Sequence, residues 1–227
     1  DRHPFPTLRA SELVAAQAVG EFYYGKSRQL TQQTFFRNTL GLAASVIKNT
    51  LNIRGDFTYQ YTSDGIDQKV VPVPFSLQPN VILYSGRNFL NNTSNLTKYY
   101  AGNLYGEYNR RFGNHNLKVL AGENIEVSNY KSVVVQRDNL ILPDLSSFNL
   151  TTGQNFILTQ GDDQWATLGT FYRVNYDFKN KYLLEFNGRY DGSSKFPSGQ
   201  RFGFFPSISG GWLVAEEKFR QGTRSWL

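Results

Sequence analysis

The sequence predicts an all-β chain: long antiparallel strands of the kind that build a transmembrane β-barrel. Three observations carry that expectation. Several stretches alternate apolar and polar residues strictly over ten or more positions, the period of a strand with two unlike faces. Tight turns and long polar links succeed one another, as in a barrel with short connections at one membrane surface and extended loops at the other. The apolar faces are rich in Tyr and Phe, 14 and 18 of 227 residues, with Tyr at strand ends where an interfacial girdle would lie. A soluble, secreted β-sandwich that binds glycans through exposed aromatics is the alternative; it shares the alternation but gives no reason to sort loop lengths by end.

Residues 1–28 read as a loop with one short helix. His3-Pro4-Phe5-Pro6 cannot be helical, while Ser11 can cap a helix over 11–19 that stops at Gly20. From residue 29 the period is two. Strands are expected at about 34–46, 51–61, 100–110, 117–130, 168–178, 182–191 and 202–212. That makes roughly seven, each near or above the ~9–11 residues a tilted strand needs to cross a bilayer. In the second, Leu51, Ile53, Phe57 and Tyr59 lie opposite Asn52, Arg54, Asp56 and Gln60. In the fifth and sixth, Tyr172, Val174, Tyr176, Leu184 and Phe186 lie opposite Arg173, Asn175, Asp177, Glu185, Asn187 and Arg189. Tight turns are expected at 47–50, 113–116 and 179–181, and long links at 63–97, 132–164 and 192–201.

Composition narrows the function classes. Cysteine is absent, which removes disulfides, thiolate zinc sites and Cys nucleophiles. The longest apolar run, residues 40–47, is too short for a membrane-spanning helix, so only strands could cross. The chain opens at Asp1 with neither Met nor a signal peptide, so it is not expected to begin at a native start codon. Net charge is +6 and the pI about 9.4, but only Arg110 and Arg111 are adjacent cations, so nucleic acid is not an expected partner. No phosphate loop, dinucleotide fingerprint, nucleophile elbow or zinc-protease motif occurs. The two histidines, His3 and His115, are far apart. Carboxylate pairs such as Asp162-Asp163, Glu123 with Glu126, and Asp64 with Asp67 read as solvated loop, turn or opposite-face groups rather than a glycosidase pair or a calcium loop. No enzyme activity, metal or cofactor is expected.

The candidate functional residues are therefore the polar-face groups and the loop aromatics. Arg54, Asp56, Gln60, Arg173, Asn175, Asp177, Glu185, Asn187 and Arg189 are expected to face a hydrated lumen. There they could hold a polar solute or pair across strands and support the wall. Tyr84, Phe89, Phe148 and Phe156 lie in the long links and Trp165 just after the second; they are expected to be exposed contacts for a ligand or partner, or to pack those links onto the rim.

One ordered set of motifs goes further. Arg173-Val174-Asn175-Tyr176-Asp177 is followed by Tyr182-Leu183-Leu184-Glu185, Arg189-Tyr190-Asp191-Gly192-Ser193-Ser194-Lys195-Phe196, Phe205-Pro206-Ser207-Ile208-Ser209-Gly210-Gly211-Trp212 and Glu216-Glu217-Lys218-Phe219. This order closely resembles the SusC/RagA family of TonB-dependent outer-membrane transporters, as does the turn Tyr108-Asn109-Arg110-Arg111-Phe112-Gly113 with the strand that follows. The resemblance implies a segment of a barrel of about 22 strands, with the plug domain absent from this stretch. It implies import of oligosaccharide or peptide across the outer membrane of a Gram-negative bacterium, energised by TonB and assisted by a SusD-like surface lipoprotein, with outer-membrane lipid around the barrel. No substrate-binding motif carries over residue by residue.

Overall fold

A computed structural model describes residues 25–78 and 80–217; the helix expected over 11–19 lies outside them. The strands are β1 (Arg28–Ile47), β2 (Leu51–Val70), β3 (Val73–Gln78), β4 (Val81–Ser85), β5 (Phe89–Phe112), β6 (His115–Asp138), β7 (Phe156–Phe178), β8 (Tyr182–Ser193) and β9 (Phe202–Trp212). Seven of them hydrogen-bond side by side in the order β1-β2-β5-β6-β7-β8-β9, and β3 pairs with β4 in a separate two-stranded sheet. No helix among the described residues is long and apolar enough to cross a membrane, which says nothing of strands.

The three tight turns fall where Asn, Gly and Lys adopt backbone that other residues resist. Asn49, Gly113, Lys179 and Asn180 all have φ between 54° and 59°. Thr50 N–H returns to the Ile47 carbonyl at 2.9 Å and Lys181 N–H to that of Phe178 at 3.0 Å, closing the first and third.

The long links are shorter than expected, because the strands run on. β2, β5, β6 and β7 contain 20, 24, 24 and 23 residues, far beyond the alternating stretches that announced them. Pairing requires only backbone N–H and C=O groups, so Thr- and Asn-rich sequence such as 91–97 extends the ladder after the apolar face has ended. Residues 71–88 and 139–155 remain as connections, and the first of these is largely the β3–β4 hairpin.

The chain forms two compact units. One comprises Thr62–Leu96, Tyr130–Asp162 and the described residues up to Phe35. It holds the small apolar core: Val71, Leu90 and Leu140, with Phe148 and Leu150 packed against them. Asn88 pins this core by donating to the Leu140 carbonyl at 3.0 Å and accepting from the Leu140 N–H at 3.1 Å. Buried Lys69 donates to the Pro143 carbonyl at 2.7 Å. The other unit comprises Phe36–Tyr61, Thr97–Asn129 and the described residues from Asp163. Most of its apolar side chains gather on one sheet face and stay open: Ile53, Phe57, Leu104, Tyr172, Leu184, Phe186 and Ile208 are between 39% and 68% exposed. A β-sandwich would have covered that face with a second sheet, and the described residues of this unit form none.

Candidate functional site: the polar face

Register decides which side chains meet. β8 pairs with β7 so that Arg173 faces Asn187, Asn175 faces Glu185, and Phe171 faces Arg189. Val174 faces Phe186 and Tyr176 faces Leu184 on the other side. β9 extends both sets, Ser207 and Ser209 beside Asn187 and Glu185, Ile208 beside Phe186. Directly opposed residues of antiparallel strands project the same way. The six polar candidates of these strands therefore share one face, and the apolar row occupies the reverse.

Contacts between β2, β5 and β6 repeat the division. Asp56 Oδ2 accepts from Asn103 Nδ2 at 2.7 Å, and Asn103 Oδ1 accepts from Asn124 Nδ2 at 2.7 Å. Thr58, alternate with Asp56, bonds Thr39 at 2.8 Å. On the reverse side the Tyr100 ring lies tilted against those of Phe57 and Tyr59, its centre 6.5 and 5.2 Å from theirs. Arg54 is exposed and Gln60 half-buried, at alternating positions with Asp56. Asn103 and Asn124 are not among the candidates expected from sequence. Counting by twos from Tyr99 and from Asn116 would have reached both.

On β7 and β8 the polar groups are largely tied to one another. Arg173 Nε donates to Asn187 Oδ1 at 2.8 Å, and Asn187 Nδ2 to Glu185 Oε1 at 2.7 Å. Arg189 makes a forked pair with Asp191 and lies 5.4 Å from the Phe171 ring centre. Asp177 accepts from Asn116 Nδ2 at 2.8 Å and from its own turn at Asn180 N–H. Asn175 differs: its Oδ1 is buried without a hydrogen-bond partner. A buried unpaired carbonyl costs about 1–3 kcal/mol.

Beside this network the polar face holds an open cleft of about 450 Å³, lined by Asn124, Glu126, Arg189, Asp191, Arg201 and Phe205 among others. Glu126 accepts from the Tyr99 hydroxyl at 2.8 Å. The Tyr99 ring lies 6.3 Å from that of Trp165, over which the Lys195 ammonium sits at 5.5 Å. Carboxylates, guanidinia and aromatic faces so combined can take hydroxyls, amides and ring or aliphatic surfaces of a polar solute.

The five loop aromatics divide. Tyr84 and Phe156 are exposed, at 66% and 55%. Phe89 is not: it is 7% exposed, opens β5 and lies under the Arg87 guanidinium at 4.4 Å, because the chain turns back on itself in this unit. Phe148 packs on the Val71–Leu90–Leu140 core. Trp165 lies within β7, on the polar face with Tyr99, not in a link. Asp64 and Asp67, weighed as a calcium pair, accept instead from the side-chain amides of Gln33 and Asn92. In the 139–155 connection Lys26 pairs with Asp144 at 2.6 Å, and that bond holds the Asp144 carboxyl below the usual carboxylate range.

No protein-family model matches the chain. It is 29% identical over 202 residues to TonB-dependent receptor P26 of Formosa agariphila, an alignment covering 86% of this chain and 20% of the relative. It is 49% identical over 49 residues to TonB-dependent receptor SusC of Bacteroides thetaiotaomicron, covering 22% of this chain and 5% of SusC. The solved structure of the RagAB peptide transporter shares its fold with a TM-score of 0.70 at 19% identity, over 88% of this chain and 22% of that one. The chain thus spans about a fifth or less of the length of these relatives. They are receptors and a transporter, not enzymes, and the seven-stranded antiparallel sheet matches part of a β-barrel wall. The motif order in 173–219, the TonB-dependent receptors among the relatives and the shared fold together support the identification of this chain as a fragment of a SusC/RagA-type TonB-dependent transporter.

Proposed function

We propose that this sheet is a stretch of outer-membrane barrel wall in a nutrient importer, its apolar face against lipid and its polar face toward the lumen. The observation that carries the reading is the segregation of side chains by register. One face gathers Tyr172, Val174, Leu184, Phe186 and Ile208 and is left open; the other gathers Arg173, Asn187 and Glu185 in a bonded chain, with Asn175 and the Arg189–Asp191 pair beside it. In water the open face would be a liability. In lipid it is what a barrel exterior requires, while a network of charges needs the hydrated side.

In this reading the polar cleft with Glu126, Arg189 and Arg201 lies along the route of an imported oligosaccharide or peptide, and import draws on TonB through parts of the parent outside this chain. The names of the relatives supply the class, TonB-dependent receptor and peptide transporter. The exposed Tyr84 and Phe156, with the 139–155 connection, face the outside medium and meet a SusD-like lipoprotein or the arriving solute. The test uses the full-length parent in its own cell. Uptake of labelled oligosaccharides and peptides is compared between wild type, a deletion of the parent gene and a parent whose residues 139–155 are replaced by a Gly-Ser linker. Deletion should abolish energy-dependent uptake of one solute class. The linker variant should reach the outer membrane yet lose lipoprotein association or uptake. Wild-type uptake and association in the linker variant would remove the role given to that connection.

A further inference from the structure

The three tight turns carry a feature that solute transport does not use. Lys48, then Arg110 and Arg111, then Lys179 and Lys181 stand in or beside the turns at 47–50, 113–116 and 179–181, and those turns contain no acidic residue. The nearby acids are engaged. Glu107 pairs with Lys118 at 3.2 Å, Asp177 is held by Asn116 and its own turn, and Glu217 pairs with Lys181 at 3.7 Å. Among the described residues Lys48, Arg110 and Lys179 are exposed and form no salt bridge.

Their placement matters as much as their charge. Arg110 lies 4.9 Å from the Phe112 ring centre and Lys179 lies 5.1 Å from that of Phe178. Phe178 belongs by register to the apolar face, opposite Tyr182. His115 joins the aromatic row: its ring lies 4.7 Å from that of Phe178, and its Nδ1 shares a hydrogen bond of 2.6 Å with the Tyr176 hydroxyl. Tyr182 and Trp212, stacked at 6.3 Å, carry the aromatic row on. Cations without an ion-pair partner among the described residues thus edge an aromatic belt on the apolar side of the sheet, Arg110 also donating to the Tyr108 hydroxyl at 3.4 Å, with successive strand-pair turns about 10 Å apart by strand spacing, within one Debye length.

We propose that this edge is a binding site for the phosphodiester headgroups of anionic phospholipids, with Arg110 and Lys179 as its direct contacts and Lys48 continuing it along the rim. The guanidinium supplies a planar pair of donors to one phosphate, and the ammonium supplies a point charge to the same or the next headgroup. Aromatic rings fix both cations at headgroup depth, and each such cation adds to attraction for an anionic leaflet. The proposal rests on the reading of the sheet as membrane wall and adds a lipid class and a location to it.

The experiment places the full-length parent in phosphatidylcholine nanodiscs doped with phosphatidylglycerol and measures retained phosphatidylglycerol by native mass spectrometry. Loss of two juxtamembrane charges in R110Q/K179Q should weaken retention about thirtyfold, and K48Q alone about fivefold. R110K/K179R, which keeps the charges, and R54Q on the polar face should retain the lipid within a few-fold of wild type. Millimolar inorganic phosphate should not displace it; full displacement would make this a phosphate site and overturn the lipid assignment. Equal retention by inserted wild type and inserted R110Q/K179Q would overturn it too. Should the double variant fail to insert, the K48Q and R110K/K179R results decide alone. A wild-type parent that does not enter the bilayer at all, judged by heat-modifiable gel mobility, would overturn the membrane reading beneath.

Discussion

Replacing Phe186 with Arg tests the face assignment where it is most sensitive. Tyr182 and Tyr190 are eight residues apart on β8, about 27 Å along a strand, or about 21 Å along the membrane normal at a tilt near 40°. That is close to the ~25 Å apolar band of a barrel exterior, so the two tyrosines mark its borders and Phe186 stands midway. An Arg there should cost ~2–4 kcal/mol, and one at Tyr182 no more than about 1. Ser207 supplies the matched control. It lies beside Asn187 on β9, next to the Phe186–Ile208 pair and at almost the same depth, but on the polar face. Ser207→Arg should stay within about 0.5 kcal/mol of wild type. The assay is guanidinium unfolding of the full-length parent refolded in lipid vesicles, with folded protein scored by heat-modifiable gel mobility. A cost for Ser207→Arg equal to that of Phe186→Arg would refute the assignment of faces, since depth and strand length are common to both.

The strands and their faces were legible because alternation and tight turns are local. Each of the seven expected strands exists, and the parity counted from Leu51, Leu168 and Tyr182 is the parity of the observed pairs. Strand ends were misjudged where alternation fades, as in β5, which begins at Phe89 rather than near residue 100. Past the amphipathic stretch no face has to be apolar, so the periodic signal stops while the backbone ladder continues. The links suffered in consequence: Trp165 was assigned to a loop but lies in β7, and Phe89 was expected exposed but is buried. The pairs that build the polar face, Asp56 with Asn103 and Asn103 with Asn124, are 47 and 21 residues apart, and only register brings them together. The cleft is a further step removed, since its lining comes from β6, β7, β8, β9 and the β8–β9 link.

Five other outcomes are expected. Gly122→Ala should destabilise the folded parent by about 1–3 kcal/mol, because its new methyl would lie 2.5 Å from the Leu104 carbonyl oxygen and 2.9 Å from the Phe171 ring. Gly41→Ala, with nothing within 4 Å of its Cβ, should be near neutral in the same unfolding assay. Asn103→Leu should cost about 1–3 kcal/mol by leaving Asp56 and Asn124 without their shared partner, whereas the exposed Asn114→Leu should not. The Glu217 carboxyl is held below its ordinary range, first by the Tyr182 hydroxyl, then by the Trp212 indole N–H and by Lys181. A depressed folded value gives stability that is complete above the unfolded pKa near 4.3 and is lost as pH falls through the folded one. The unfolding midpoint of Glu217→Gln should therefore fall less than that of wild type below about pH 4.5 and run parallel to it above. The last outcome concerns residues 1–227 expressed alone. β1 and β9 end the sheet and present unpaired N–H and C=O rows, which recruit other strands unless something covers them. The buried apolar side chains among the described residues are few, Val71, Val73, Phe89, Leu90 and Leu140, and all lie in one unit. The other unit leaves its apolar face to the surroundings, so neither edges nor face have a partner in water. Size-exclusion chromatography without detergent should show aggregate or oligomer, and a lipid or detergent phase should be needed to recover folded protein. A monodisperse, detergent-free monomer with a cooperative melt would mean that the open face is not a lipid face, and the wall reading would fall with it.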